Sequence, residues 1–180
     1  MKKIILFALI LCVSVSALCA ANNIWTFTAT PYAVQIYSSS LGTNRTSNSG
    51  FGFKVGYRHH VGVLLLGADA SYHLFEYKVN GNSVRLGSLQ MLAKIGGKVS
   101  FDRLDLNADI GAGANVGISR LSTTYNLIAG ANASASFAVS QNVALTGGVD
   151  AYFEWTKAED SEFRSVQWSV VPAFGIEVEL

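Results

Sequence analysis

Between Leu104 and Ile118 every even-numbered residue is apolar: Leu104, Leu106, Ala108, Ile110, Ala112, Ala114, Val116 and Ile118. The odd positions read Asp105, Asn107, Asp109, Gly111, Gly113, Asn115 and Gly117. A period of two over this length predicts a long β-strand with one apolar face and one face of small and polar residues. The same alternation recurs along the chain. It predicts eight strands at Trp25 to Tyr37, Phe51 to Arg58, Val61 to Val79, Asn82 to Phe101, Leu104 to Ser119, Tyr125 to Val139, Val143 to Trp155 and Phe163 to Leu180. A tilted strand needs about nine to eleven residues to cross a bilayer, and these segments are of that order.

The connections alternate in kind. Tight turns are predicted at His59-His60, Asp102-Arg103 and Ser140-Gln141-Asn142, and more variable loops at Ser38 to Gly50, the Asn80-Gly81 tip, Arg120 to Thr124 and Thr156 to Glu162. Residues paired across a hairpin must share a face, so parity tests each turn. A two-residue loop at His59-His60 sets Val55 opposite Leu64 and Phe53 opposite Leu66, and a three-residue loop at Ser140 to Asn142 sets Phe137 opposite Leu145. At Asn80-Gly81 the type I′ turn favoured by that dipeptide sets Glu76 opposite Arg85, a pairing of opposite charges. Pro31 and Pro172 fall in the first and last strands, and the apolar phase slips from Trp25 and Phe27 to Tyr32, Val34 and Ile36, which predicts a bulge at the seam.

The first residues have a different pattern. Lys2 and Lys3 precede the apolar run Ile4 to Val15, followed by Ser16, Ala17, Cys19, Ala20 and Ala21, which reads as a secretory leader over residues 1–21. Leu18 is bulky where an acylated Cys19 would require a small neighbour, so ordinary cleavage near Ala20 or Ala21 is preferred and both cysteines leave with the leader. Residues 22–180 then form one domain. Without Lys2 and Lys3 the balance is 11 basic against 12 acidic residues, which gives no nucleic-acid signature.

Charged residues are 14 % of the chain and apolar residues 50 %, against roughly 25 % charged in ordinary soluble domains. The surface is short of charge for water, and no later apolar run is long enough for a spanning helix. A closed barrel remains, because an open sheet edge in hydrocarbon would strand its N–H and C=O groups. Aromatic residues near the ends of the outward face, Phe51, Tyr57, Tyr72, Phe101, Tyr125, Phe137, Phe153, Trp155, Trp168 and Phe174, match two interfacial girdles. The inward face carries Lys54, Arg58, Asp69, His73, Lys94, Lys98, Asp105, Asp109, Asp150, Glu154, Glu177 and Glu179. Eight strands leave room for little more than side chains, so a plugged lumen is predicted in which the bases neutralise several carboxylates, with Tyr152 and Phe75 adding bulk.

Taken together, these features resemble the small eight-stranded outer-membrane barrels, the OmpA transmembrane domain, OmpX and opacity-protein group. The resemblance implies an all-β, antiparallel up-and-down transmembrane barrel in the bacterial outer membrane, with outer-membrane lipid and the assembly machinery as partners. The alternating carboxyl end Phe174, Ile176, Val178 and Leu180 is similar to the assembly signal of that group, although Leu180 stands where an aromatic residue is usual. Function on such scaffolds lies in the loops, which points to envelope structure or contact with an external ligand or host surface.

Other chemistries are weaker. Asp69, Ser71 and His73 share one face and suggest a triad, but a rise of about 3.3 Å per residue puts Asp69 and His73 roughly 13 Å apart. A lipid-modifying barrel would also need its catalytic group reachable from the outer leaflet. His59 and His60 lack further ligands at metal spacing, and no cofactor motif is found. A narrow pore or conduit for small hydrophobic solutes is the alternative transport reading. A soluble lipocalin-like binder would require the apolar faces to turn inward.

Overall fold

The computed structural model describes residues 23–32, 34–39, 45–79, 82–118, 123–157 and 164–180. The predicted leader lies outside them. Nine strands are present among the described residues: β1 (Asn23–Thr30), β2 (Val34–Ser39), β3 (Arg45–Val61), β4 (Leu64–Val79), β5 (Asn82–Phe101), β6 (Leu104–Ile118), β7 (Thr123–Ala138), β8 (Val143–Lys157) and β9 (Arg164–Glu179). From β3 to β9 each strand pairs antiparallel with the next. Both β1 and β2 pair with β3 on one side and β9 on the other, so they are two halves of one stave. Eight antiparallel staves therefore close on themselves, and every ladder finds a partner within the sheet.

The break between β1 and β2 follows Pro31 and has a regular geometry. β1 pairs Ala29 with Phe174, whereas β2 pairs Val34 with Val170, a shift of one residue along β9. A second one-residue shift lies between Ser49 and Phe51, where β3 meets β4. Against β3, however, β1 and β2 hold one continuous register, Thr30 with Gly52 and Val34 with Asn48. The irregularity thus crosses neighbouring staves as a line, and the ladder between the first and last staves is interrupted between Ala29 and Val34. A proline cannot donate to the ladder, and the extra residue is accommodated where that donor is missing.

Two connections differ from the sequence reading. The β3–β4 turn is at Gly62-Val63, with Val61 opposite Leu64, and His59 and His60 lie within β3. Val55 accordingly faces Ala70 and Phe53 faces Tyr72. Gly62 adopts a φ of +64°, which a residue without a Cβ accepts readily and which suits a tight hairpin. The second difference is at Ser38 to Gly50, where Arg45 to Gly50 belong to β3 and Tyr37 pairs with Arg45, shortening the connection to residues 40–44, outside the described residues.

The other registers agree with the sequence: Phe101 faces Leu104 across the expected Asp102-Arg103 turn, and Phe137 faces Leu145 and Glu76 faces Arg85 as parity required. The Asn80-Gly81 tip itself lies outside the described residues. Among the described residues the ladder with β6 runs to Gly87 and Ile118, and that with β4 continues to Val79 and Asn82.

Candidate functional site in the barrel interior

Along β6 the apolar row faces away from the barrel, with Leu106 45 % and Ile110 64 % exposed, while Asn107, Asp109 and Asn115 are buried. Exposed apolar side chains continue around the other staves, including Phe27, Phe53, Met91, Leu127, Leu145 and Phe174. Three outward aromatic pairs accompany them: Trp25 with Tyr57, Phe53 with Tyr72, and Phe153 with Trp168 at ring centroid distances of 5.2, 5.9 and 4.6 Å. This inverts a soluble ligand-binding barrel and places the polar chemistry inside.

The interior is built in layers. At the end where Leu180 N–H donates to Asn23 O, Lys98 lies 2.6 Å from Asp105, and both are partly open to solvent. Glu179 is exposed at the same rim and joins the structure through its backbone, its N–H donating to Asn142 O at 2.9 Å. Unlike the other charges expected in the interior, it lies at the open mouth beyond the enclosed length of the stave.

Above this rim lies a connected ionic group. Lys94 Nζ is 2.6 Å from Asp69 and 2.8 Å from Asp109, Lys54 Nζ is 2.6 Å from Asp150, and Arg58 is 3.1 Å from Asp109 and 3.6 Å from Glu177. All seven residues are buried. Asn132 donates a further bond to Asp150 at 2.9 Å. Buried charges persist only when paired and hydrogen-bonded, and mutual neutralisation here offsets their desolvation. Small neighbours make the crossing possible: Lys94 lies over Gly111, where an added Cβ would be 2.8 Å from its Cγ.

Next comes an apolar layer of Phe75, Leu92, Ile128, Tyr152 and Val171, none more than 3 % exposed. His73 is 1 % exposed, with its ring 5.9 Å from that of Phe75 and 6.4 Å from that of Tyr152. Its Nδ1 lies 3.3 Å from Thr30 Oγ1. Glu154 then stands apart from the ionic group, accepting from Asn126 and, at 2.7 Å, from Asn115. Ser71, Gln90 and Ser88 lead to it in turn, Ser71 donating to Gln90, Gln90 to Ser88 and Ser88 to Asn115. Each donor points towards the carboxylate, so the aligned dipoles favour its negative charge.

Searches for relatives bear on the fold alone. No family model and no curated protein matches the chain. Among solved structures, Neisserial surface protein A aligns with a TM-score of 0.62 at 17 % identity, covering 87 % of this chain and 97 % of that one. The outer membrane protein OprG from Pseudomonas aeruginosa aligns with a TM-score of 0.53 at 7 % identity, covering 89 % and 98 %. The fold is that of the small outer-membrane β-barrels. A barrel of this kind crosses a membrane with strands, and no helix among the described residues is long and apolar enough to do so.

Within this barrel the residues of the suggested triad go separate ways. Asp69 joins Lys94, Ser71 bonds Gln90, and His73 lies between Thr30 and two aromatic rings. His59 and His60 are adjacent on a strand and so face opposite sides, His59 contacting Asn23 at 3.0 Å. Among the described residues no group of three metal-ligating side chains converges. Leu92, Ile128 and Val171 were not anticipated as interior residues, although each occupies an inward phase on its strand. The sheet positions of the assembly-signal residues are clear: Phe174, Ile176 and Leu180 are exposed and Val178 is partly so, on the outward face.

Proposed function

We propose that the chain is an integral outer-membrane barrel with a plugged lumen, serving envelope structure or surface interaction through the loops at the end away from Leu180. The observation that carries the reading is the stacking of two filled layers inside one narrow barrel. The ionic group closes one level, and Phe75, Leu92, Ile128, Tyr152 and Val171 close the next. An ion crossing this lumen would have to displace both, and an eight-stranded barrel has an interior only just wide enough for its own side chains.

In this reading the outward face contacts outer-membrane lipid, the row ending in Leu180 engages the assembly machinery, and any external ligand or host surface meets the loops. The barrel supplies rigidity, and the connections supply specificity. The test is conductance of the purified protein in planar bilayers. The expected record is a closed baseline; steady ion-selective openings would support a narrow pore and overturn the plugged lumen.

A further inference from the structure

Between the ionic group and the seam lies a cavity of about 10 Å³. Five buried polar atoms of residues lining it have no hydrogen-bond partner among the described residues: Thr26 Oγ1, Thr28 Oγ1, Arg58 Nε, Asn132 Oδ1 and Ser134 Oγ. They come from three staves, Thr26 and Thr28 on β1, Arg58 on β3, and Asn132 and Ser134 on β7, so no single strand's local geometry explains their convergence. Leaving a buried donor or acceptor unmade costs about 1–3 kcal/mol each, and most buried polar groups in native structures find a partner in protein or ordered water.

We propose that this cavity is a solvent site that binds a water molecule, bridging Arg58 Nε to the threonine and serine hydroxyls and to Asn132. The volume is close to the roughly 10–15 Å³ that one water requires, and a buried water makes about two to four hydrogen bonds, a number the five atoms supply. Their chemistry is complementary to water. Arg58 Nε donates only, Asn132 Oδ1 accepts only, and the three hydroxyls do either. An anion is disfavoured because the neighbouring bases, Lys54, Arg58 and Lys94, already face four carboxylates, Asp69, Asp109, Asp150 and Glu177.

A route to the site is also present. A second cavity of about 60 Å³ at the mouth near Leu180 is lined by Ile24, Ala144 and Glu177, among others. Ile24 and Ala144 are one inward step below Thr26 and Thr146, which line the inner cavity. The 3.6 Å contact between Arg58 and Glu177 stands between the two levels. The mouth cavity is thus the solvent nearest the site, and the apolar layer closes the opposite side. This inference does not depend on what the loops bind.

The experiment is nuclear magnetic resonance of the full protein in detergent micelles, reading cross-relaxation between water and the Arg58 Nε–H. A cross-peak at the water frequency is expected. Thr28→Val, which keeps the shape and removes a hydroxyl, should weaken that peak, whereas Thr123→Val at an exposed position of β7 should leave it unchanged. Absence of the peak in the unsubstituted protein would show a dry cavity and overturn the proposal, independently of how the variants fold. A peak equally strong in Thr28→Val would also contradict the bridging geometry.

Discussion

Lys94 and Asp69 meet inside the barrel with Nζ and Oδ2 2.6 Å apart and both side chains at most 3 % exposed. They are not direct partners across the β4–β5 ladder, where Lys94 faces Gly67 and Asp69 faces Leu92. The long lysine runs diagonally and reaches Asp109 on β6 as well. One ammonium thereby ties three consecutive staves together.

Replacing that ammonium should be costly. Lys94→Met leaves Asp69 and Asp109 short of a counter-charge, and removing one partner of a buried pair typically costs about 3–5 kcal/mol. Lys98→Met breaks the rim pair with Asp105, whose side chains are 18 % and 27 % exposed, and should cost no more than about 1 kcal/mol. Urea unfolding in lipid vesicles, followed by tryptophan fluorescence, separates the two. Equal losses would mean that the interior pair is solvated.

The glycine beneath Lys94 makes a second comparison. A Cβ at Gly111 would stand 2.7 Å from Ala93 O and 2.8 Å from Lys94 Cγ, whereas one at Gly97 meets nothing closer than Val63 O at 3.6 Å. Gly111→Ala should destabilise by about 1–3 kcal/mol through overpacking. Gly97→Ala should stay within about 1 kcal/mol of the parent and lean towards stabilisation, because alanine loses less backbone entropy on folding. The same unfolding assay checks both, and a neutral Gly111→Ala would show that the interior has slack.

The seam should open before the rest of the barrel. Its ladder is interrupted between Ala29 and Val34, opposite the stretch between Val170 and Phe174 that contains Pro172. Backbone groups without ladder partners raise local opening, and such regions exchange amide hydrogens first. Hydrogen exchange is expected to be faster on the seam side of β1, β2 and β9 than across the unbroken β6–β7 ladder. Protection at the seam equal to that of β6 and β7 would contradict this reading.

Much of this architecture follows from alternation alone, and its limits follow from the same physics. A period of two specifies which face a residue takes and is blind to a slip that preserves parity. A turn at His59-His60 and one at Gly62-Val63 pair odd residues with even ones alike, so both keep Phe53 and Val55 on the outer face. Only Gly62, with its positive φ, marks the true turn. The segment Arg45 to Gly50 is rich in polar residues and reads as a loop, yet neighbouring staves supply its ladder.

Ion pairing lay further out of reach for a related reason. Lys54 on β3 meets Asp150 on β8, and Arg58 on β3 meets Asp109 on β6, so the contacts run across the lumen between staves that share no ladder. Such contacts depend on the stagger with which the sheet closes, which no single hairpin reports. The inward charges were legible; their partners and the apolar layer of Leu92, Ile128 and Val171 were properties of the closed barrel.

The lipid-facing side should resist charge in proportion to depth. Ile110 is 64 % exposed near the middle of β6, and Ile110→Arg should cost about 2–4 kcal/mol if it stands at the bilayer midplane. Val139→Arg, at the turn before β8, should cost no more than about 1 kcal/mol. The pair is compared by reversible unfolding in vesicles. A tolerated Ile110→Arg would place that residue in water.

A spin label carried in turn by each position from Leu104 to Ile118 would report, in a bilayer, which neighbours it touches. Collision with dissolved oxygen should peak at the even positions, Leu106, Ala108, Ile110, Ala112 and Ala114, and fall at the odd ones between them. Peaks at Asn107, Asp109 and Gly111 instead, or free access of a water-soluble nickel complex to the even row, would contradict a barrel that faces hydrocarbon with its apolar side and encloses its charges.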